Sequence, residues 1–499
     1  MATRLGFVST CVLFVACGGA ASSGFDHGGK DGGGGGGGSG GTAGSGGAGG
    51  SGGIHLGGDS GGDSTMGGCT GIACNVQSCG GGSATTVTGY VYAPNGELPL
   101  YDVQVFIPNA ALTPFAKGVQ CENCGAPLSG EPIATALSDP TGHFVLTGVP
   151  TGTNVPIVVQ LGKWRREAYI PSVAGCTTTT LTDPNLTRLP TNQMEGSMPH
   201  VALTTGGCDQ MGCMLAKLGI DPMEFGTQAD GYNKAINTYN GQGGSYTVPG
   251  ATAAMNLWGD ATVLDTYDEA IFSCECSEAP GSKGVFGSPS FGVVTDYLNA
   301  GGRIFTTDFQ YTWYKFSPDP MMGEATAGSP IMGLGEIIGG APIGGSPMTL
   351  VSTIPKAVAL AAWLKNIFSG VPLPSGATFA LDSYSQMAEI NPDVVWSNIQ
   401  SLDPTKTITW ANSPSPPGPR IFTVDTPVGT APTSQCGRGV HIDAHVDQSD
   451  GQIVGAGFPT TGCGVPLKAD EAAFAFFFFD LSSCISDEHM PPPPPPPVK

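Results

Sequence analysis

Residues 291–309, FGVVTDYLNAGGRIFTTDF, decide how most of this chain folds. Phe291, Val294, Tyr297 and Leu298 recur at the spacing that gathers apolar side chains on one helix face. Gly301 and Gly302 close that helix, and Arg303 to Thr307 follow as a short apolar run that predicts a buried strand. The same alternation recurs on both sides. Pro199 to Thr205 (PHVALTT) and Tyr267 to Cys274 (YDEAIFSC) read as strands, and Cys213 to Leu218 opens a short helix. Pro355 starts a further helix through Val358, Leu360, Ala361, Leu364 and Phe368, ended by Gly370. Gly439 to Val446 is again a strand, and Asp470 to Cys484 a mostly buried helix. Strands separated by helices imply a parallel or mixed α/β sheet over residues 196–486, with too few units for an eightfold barrel.

Residues 85–190 carry a different pattern. Thr85 to Tyr92 (TTVTGYVY) alternates with period two, and Ala93 to Gly96 (APNG) supplies a turn. Val103, Val105 and Ile107 mark a second strand; Ala134 to Leu137, Phe144 to Leu146 and Val155 to Leu161 mark further ones. Turns at Asp139 to Gly142 and Gly148 to Gly152 separate them. Short strands with turn signals about every ten residues predict a β-sandwich. The fold class expected is therefore multidomain: an all-β sandwich followed by an α/β sheet domain, with a disordered Gly-rich N-terminal tether.

The two ends address the chain rather than fold it. Arg4 and the apolar run Leu5 to Ala16 have the form of a secretory signal, too short to span a bilayer. Phe14, Val15, Ala16 and Cys17 resemble the lipobox of bacterial lipoproteins, although Phe14 stands where leucine is usual. That resemblance implies cleavage of residues 1–16, lipidation of Cys17 and a membrane anchor; Gly18 rather than aspartate at the next position implies passage to the outer membrane or cell surface. Residues 17–84 are mostly Gly with Ser and Ala, a composition that cannot bury enough apolar surface to offset its ordering entropy. Residues 487–499 end in the proline run Pro491 to Pro497, a polyproline II rod.

The 40 acidic residues exceed the 19 basic ones, giving a net charge of −21. That balance excludes nucleic acid as a partner. Of 15 cysteines, Cys11 would leave with the signal and Cys17 would carry lipid, so an odd number remains to form disulfides in an exported chain.

Two family resemblances follow from these motifs. GYVYAPNGELPLYDVQV, then SDPTGHFVLTGVPTG, resembles the carboxypeptidase regulatory-like (transthyretin-like) domains, which implies a spacer or a carbohydrate- or protein-binding module without catalytic residues. VALTTGG, YDEAIFSCE, YLNAGGRIFTTDF and GRGVHIDAHV resemble the class I glutamine amidotransferase-like fold in its ThuA-like branch, and most of all exported myxobacterial lipoproteins of this combined architecture. Enzymes of that superfamily place a nucleophilic cysteine on the tight turn after a strand such as GGRIFTT. Here Thr307, Asp308 and Phe309 occupy the turn; in the lipoprotein relatives histidines often stand in the places of Asp308 and Gln310.

Candidate sites are of three kinds. His441, Asp443, His445 and Asp447 alternate, which on a strand places all four on one face. With Asp308 from an adjacent strand, they would make a carboxylate and imidazole site for zinc or a similar divalent metal; the alternative is a solvent-facing polar edge. No other cofactor is expected. Trp164, Arg165 and Arg166 form a basic and aromatic patch that could stack on a sugar or grip an acidic partner, or else pack against the neighbouring domain. The cysteines are read as disulfides in preference to catalysis. Cys208 and Cys213 are expected to bridge to Cys274 and Cys276, although one of the latter with His445 as base would make a nucleophile. Cys463 is expected to pair with Cys484, leaving Cys436 as the odd thiol. Cys69, Cys74 and Cys79 read as a small knot, and one bridge among Cys121, Cys124 and Cys176 would pin the insertion to the last strand of the sandwich.

The function expected is noncatalytic binding of a carbohydrate or protein at the cell surface. A metal-assisted envelope hydrolase using Asp308, Asp443 and His445 is the alternative, and a purely structural envelope protein the third reading.

Overall fold

A computed structural model divides the chain into Met1–Met66 and a compact unit, Gly67–Lys499. The described residues are 69–494 except 123, 210, 243–246, 285–287, 315–334, 338–341, 344–347, 369–388, 391–394, 397–398, 416, 447–462, 464–466 and 468. The signal, Cys17, most of the tether, Gly370, Asp447 and the end of the proline tail lie outside them. No helix among the described residues is long and apolar enough to cross a membrane.

The chain is a mixed, sheet-rich protein with few helices. Its first part has seven strands: β1 (Thr86–Tyr90), β2 (Gln104–Ile107), β3 (Ala134–Leu137), β4 (His143–Thr147), β5 (Gly152–Leu161), β6 (Trp164–Val173) and β7 (Thr178–Thr180). They form two sheets, β4-β1-β7 and β3-β2-β5-β6. The turn into β4 is built by Asp139, whose Oδ1 accepts from the backbone N–H of Thr141 and His143. Gly142 completes it at φ +81°, where a Cβ would press on Pro99 at 2.8 Å.

Beside two separate two-stranded antiparallel pairs, Gly335–Ile337 with Ile399–Leu402 and Pro342–Ile343 with Val395–Trp396, the second part is built on a ten-stranded sheet. Its strands are β8 (Val201–Thr204), β9 (Phe225–Thr227), β10 (Ile236–Tyr239), β11 (Glu269–Phe272), β12 (Arg303–Thr307), β13 (Met348–Leu350), β14 (Glu389–Ile390), β15 (Ile408–Pro414), β16 (Pro417–Thr426) and β17 (Gly437–Ile442). The order is β14-β13-β15-β16-β17-β12-β11-β8-β10-β9. From β17 through β12, β11, β8 and β10 to β9 all neighbours are parallel; from β17 towards β14 they are antiparallel. Strands β8, β11, β12 and β17 are buried along their whole length, as a sheet covered on both faces requires. Helix α1 (Met211–Lys217) follows β8, α2 (Pro289–Asn299) precedes β12, α3 (Pro355–Phe368) follows β13, and α4 (Ala469–Ser482) comes last.

Alternate residues of the central strands feed two cores. Ala202, Ala270, Phe272 and Ile304 join Trp258, Tyr297 and Trp313 on one face. Val201, Leu203, Ile271, Phe305 and Val440 join α4 on the other, and this second core continues without a break into Val87, Phe144, Ile157 and Trp164 of the first part. Helix α4 suits the position because it is apolar all round, with Phe474, Phe476, Phe477, Phe478 and Phe479 all buried. Polar groups inside this layer are paired: fully buried Arg438 meets Asp425 at 2.7 Å, Asp480 at 3.1 Å and Glu488 at 2.7 Å, while Lys356 meets Asp480 at 2.7 Å.

This packing corrects the expected recognition patch. Trp164 is buried, its ring 6.3 Å from Phe478 and 6.1 Å from Phe479, so it anchors the sandwich to α4 instead of facing a ligand. Arg165 is buried with its guanidinium 4.1 Å over the Phe115 ring and donates to the Thr113 carbonyl; Arg166 donates to the Asn185 carbonyl. A strand end beside a large apolar helix gains more by burying its indole than by exposing it.

The cysteine pairing also differs from expectation. Cys208 bridges Cys276, but Cys213 bridges Cys463, and Cys274 is left as a buried thiol. Cys484 bridges Cys124 instead of Cys463, and Cys436 is bonded to Cys121. Cys79 takes Cys176, leaving Cys69 with Cys74. Proximity in the folded chain, which sequence spacing does not report, decides each pair.

Candidate functional site

Four neighbouring loops meet at the carboxyl ends of the parallel strands, the edge at which open α/β sheets form ligand crevices. The loop after β8 brings Asp209, that after β11 brings Cys274, that after β12 brings Asp308, and the segment after β17 brings His445. Asp209 ties them together. Its Oδ2 accepts from the Cys274 N–H at 2.8 Å and from the Thr307 hydroxyl, and its Oδ1 accepts from the Val446 N–H at 2.9 Å.

Asp308 sits at the turn between β12 and a 3₁₀ helix, Asp308–Trp313, with φ +39° and no exposed surface. Aspartate is among the few residues that enter this left-handed region without a large penalty. His445 Nε2 lies 2.6 Å from Asp308 Oδ2 and 3.2 Å from Cys274 Sγ. The Cys274 thiol in turn donates to Asp308 Oδ2 at 3.2 Å. Behind them Gln310 Nε2 donates to the Ser273 carbonyl at 2.7 Å, and its Oε1 accepts from Trp313 Nε1 at 2.8 Å.

Electrostatics keep the proton on sulfur. Burial pushes the Cys274 thiol well above its ordinary pKa, and the carboxylates of Asp308 and Asp209 push it further. Burial by itself would discharge His445, but Asp209, Asp308 and Asp443 outweigh it and raise the imidazole. Both shifts favour the protonated forms of Cys274 and His445.

The four predicted metal-site residues do not converge. Strand β17 ends at Ile442, so the alternation does not run on to His445. His441 pairs with Thr306 in register, its Nδ1 3.0 Å from Thr306 Oγ1 and its ring 5.2 Å from Phe422, on the sheet face opposite to Thr307. Burial lowers its pKa to about 3. Asp443 turns to Arg420, 3.5 Å away, leaving only Asp308 and His445 together. Among the described residues Cys208, Cys274 and His445 hold three ligand atoms within 4.8 Å of one another. The Cys208 sulfur is spent in its disulfide, whereas Cys274 Sγ, His445 Nε2 and Asp308 Oδ2 lie within 3.2 Å of one another, already in contact among themselves.

The pairing of Cys274 with His445 was visible in the sequence as the catalytic alternative to disulfides. Asp209 was not, because an aspartate after a strand carries no distinguishing signal. A second feature lies apart from this centre: a cavity of about 400 Å³ lined among others by Thr113, Phe115, Glu122, Arg165, Pro493 and Pro494. Of the predicted recognition residues, it uses Arg165.

No family model and no curated protein matches the chain. Among solved structures, an interface mutant of the type II cohesin–X-dockerin complex from Acetivibrio cellulolyticus is 14% identical over 25% of this chain and 76% of that one, with a TM-score of 0.15. A second mutant of that complex is 16% identical over 28% of this chain and 85% of that one, also at 0.15. The exo-β-1,4-mannosidase Op5Man5 from Opitutaceae bacterium strain TAV5 is 9% identical over 50% of this chain and 31% of that one, with a TM-score of 0.21. Likeness at this level fixes neither fold nor activity.

Proposed function

We propose that this chain is an exported, lipid-anchored surface protein that binds a carbohydrate or protein without cleaving it. The observation that carries the noncatalytic reading is the Asp308 and His445 pair. The turn after β12 is where the glutamine amidotransferase-like resemblance places a nucleophilic cysteine, and here it holds Asp308, whose Oδ2 is engaged by His445 Nε2 at 2.6 Å. The nearby thiol of Cys274 is held protonated. Six disulfides among the described residues support export into an oxidising compartment. Two sheets joined by an Asp139 turn support the regulatory-like sandwich assignment. The cavity beside Phe115 and Arg165 has the size of a small-ligand pocket, and an aromatic ring under a guanidinium suits a sugar or an acidic peptide.

The test is a paired screen of the purified full chain: a glycan and surface-extract binding panel, and a panel of envelope amide, ester and glycoside substrates. Saturable binding, weakened by Phe115→Ala, without turnover is the expected result. Turnover abolished by His445→Ala would overturn it. That outcome would instead favour a cysteine-dependent hydrolase, for which the 3.2 Å approach of His445 Nε2 to Cys274 Sγ is the supporting observation.

A further inference from the structure

The buried thiol of Cys274 lies directly beneath a disulfide. Cys208 Sγ, Cys274 Sγ and a ring nitrogen of His445 are within 4.8 Å of one another. The Cys208 N–H donates to the Cys274 carbonyl at 3.3 Å, so the two backbones already run side by side, as a disulfide between them needs. The partner that Cys208 now holds, Cys276, is solvent-exposed, whereas Cys274 has no exposed surface. Cys276 also sits at φ +63°, a left-handed conformation that costs a cysteine free energy.

We propose that Cys274 exchanges with the Cys208–Cys276 disulfide and so moves the chain's free thiol from the core to the surface. The step is redox-neutral and needs no external oxidant. As Cys274 Sγ attacks Cys208 Sγ, its proton passes to Asp308 Oδ2, which already accepts from it. The Cys208–Cys276 bond breaks, and its electron pair leaves with Cys276 Sγ, which takes a proton from water. The product has a buried Cys208–Cys274 disulfide and a surface thiol at Cys276. That thiol is a site for alkylating modification or for exchange with a disulfide-bearing molecule at the cell surface, which would release one thiol of that molecule. Exchange is slow, because the protonated resting state of Cys274 leaves little thiolate to attack. The exchange does not depend on the binding role proposed above.

The experiment incubates the folded, oxidised full chain with N-ethylmaleimide at mildly alkaline pH, quenches with acid and maps peptides without reduction. The expected product carries one label, on Cys276, together with a Cys208–Cys274 linkage. Cys274→Ser should retain Cys208–Cys276 and take up label at least roughly ten-fold more slowly, since the exchanging thiol is gone. Cys276→Ser should form Cys208–Cys274 outright while keeping the native circular dichroism spectrum. Label on Cys274 with Cys208–Cys276 intact would mean that the core merely opens to the reagent, and would overturn the proposal. So would a folded Cys276→Ser protein whose Cys208 and Cys274 both remain reduced. If either variant fails to fold, the wild-type map alone decides.

Discussion

Asp209 holds three strand-end loops by three hydrogen bonds, all of them buried. Asp209→Ala would leave the Val446 N–H and the Thr307 hydroxyl without this acceptor, at about 1–3 kcal/mol for each buried group, while the Cys274 N–H keeps Thr307 Oγ1 at 3.0 Å. Denaturant unfolding should therefore show a loss of at least about 2 kcal/mol, and fluorescence should report a loosened environment around Trp313. Asp308→Asn acts differently. It keeps the shape but removes the charge that faces His445 Nε2 at 2.6 Å, so the imidazole pKa should fall when followed by NMR. Trp164→Ala should cost about 3–5 kcal/mol, the usual range for truncating a buried indole, and should leave ligand affinity of the folded fraction unchanged. A selective loss of affinity would return Trp164 to the role of a recognition residue.

At the scale of elements, the decisive feature is the join of helix α2 to strand β12. Gly301 makes it at φ +112°, with a Cβ there reaching 2.1 Å from the Gln120 carbonyl oxygen, so Gly301→Ala is strained in backbone and packing at once. A lowered melting temperature, with the insertion around Gln120 more open to proteolysis, is the expected readout. This join was legible because apolar residues at helical spacing ran into paired glycines and then an apolar strand. Helix α4 was legible for a similar reason: no face of Ala472 to Phe479 is polar. The hairpin of β15 and β16 was not, since Pro414, Pro417 and Pro419 interrupt the run with residues that cannot donate to a ladder. The candidate site was half legible. His445 and Asp308 could be named, but period-two alternation drew His441 and Asp443 in with them, and only the end of β17 at Ile442 separates the group. Disulfide partners were illegible because Cys121 and Cys436 stand 315 residues apart, and Cys124 and Cys484 stand 360 apart.

Over the whole molecule, buried ionisable groups set an unusual pH response. Glu269, fully buried and accepting from Ser482, has its pKa pushed by burial from 4.5 to about 7. The folded state then binds the extra proton between those values, so stability falls as pH rises from about 4.5 to 7, by up to about 3 kcal/mol from this group. His445, raised in the fold, works in the same direction: its contribution is complete below the unfolded imidazole pKa and is lost as pH climbs through the folded one. Glu195 opposes them in acid. Arg188 hydrogen-bonds it down to about 2, so its contribution is lost as pH falls below 4.5. Thermal melts across pH 3–9 should peak near pH 5, and Glu269→Gln should flatten the alkaline side.

The unbroken core has a consequence in time. Trp164 and the strands around it complete their packing against Phe478 and Phe479, and the insertion between β2 and β3 is fastened to Cys436 and Cys484. In a chain made from its N-terminus, Cys121 precedes its partner Cys436 by 315 residues and Cys124 precedes Cys484 by 360. The first part must wait, with its apolar face uncovered, until almost the whole polypeptide has been delivered. A truncation ahead of α4 would leave that face bare and the insertion unfastened.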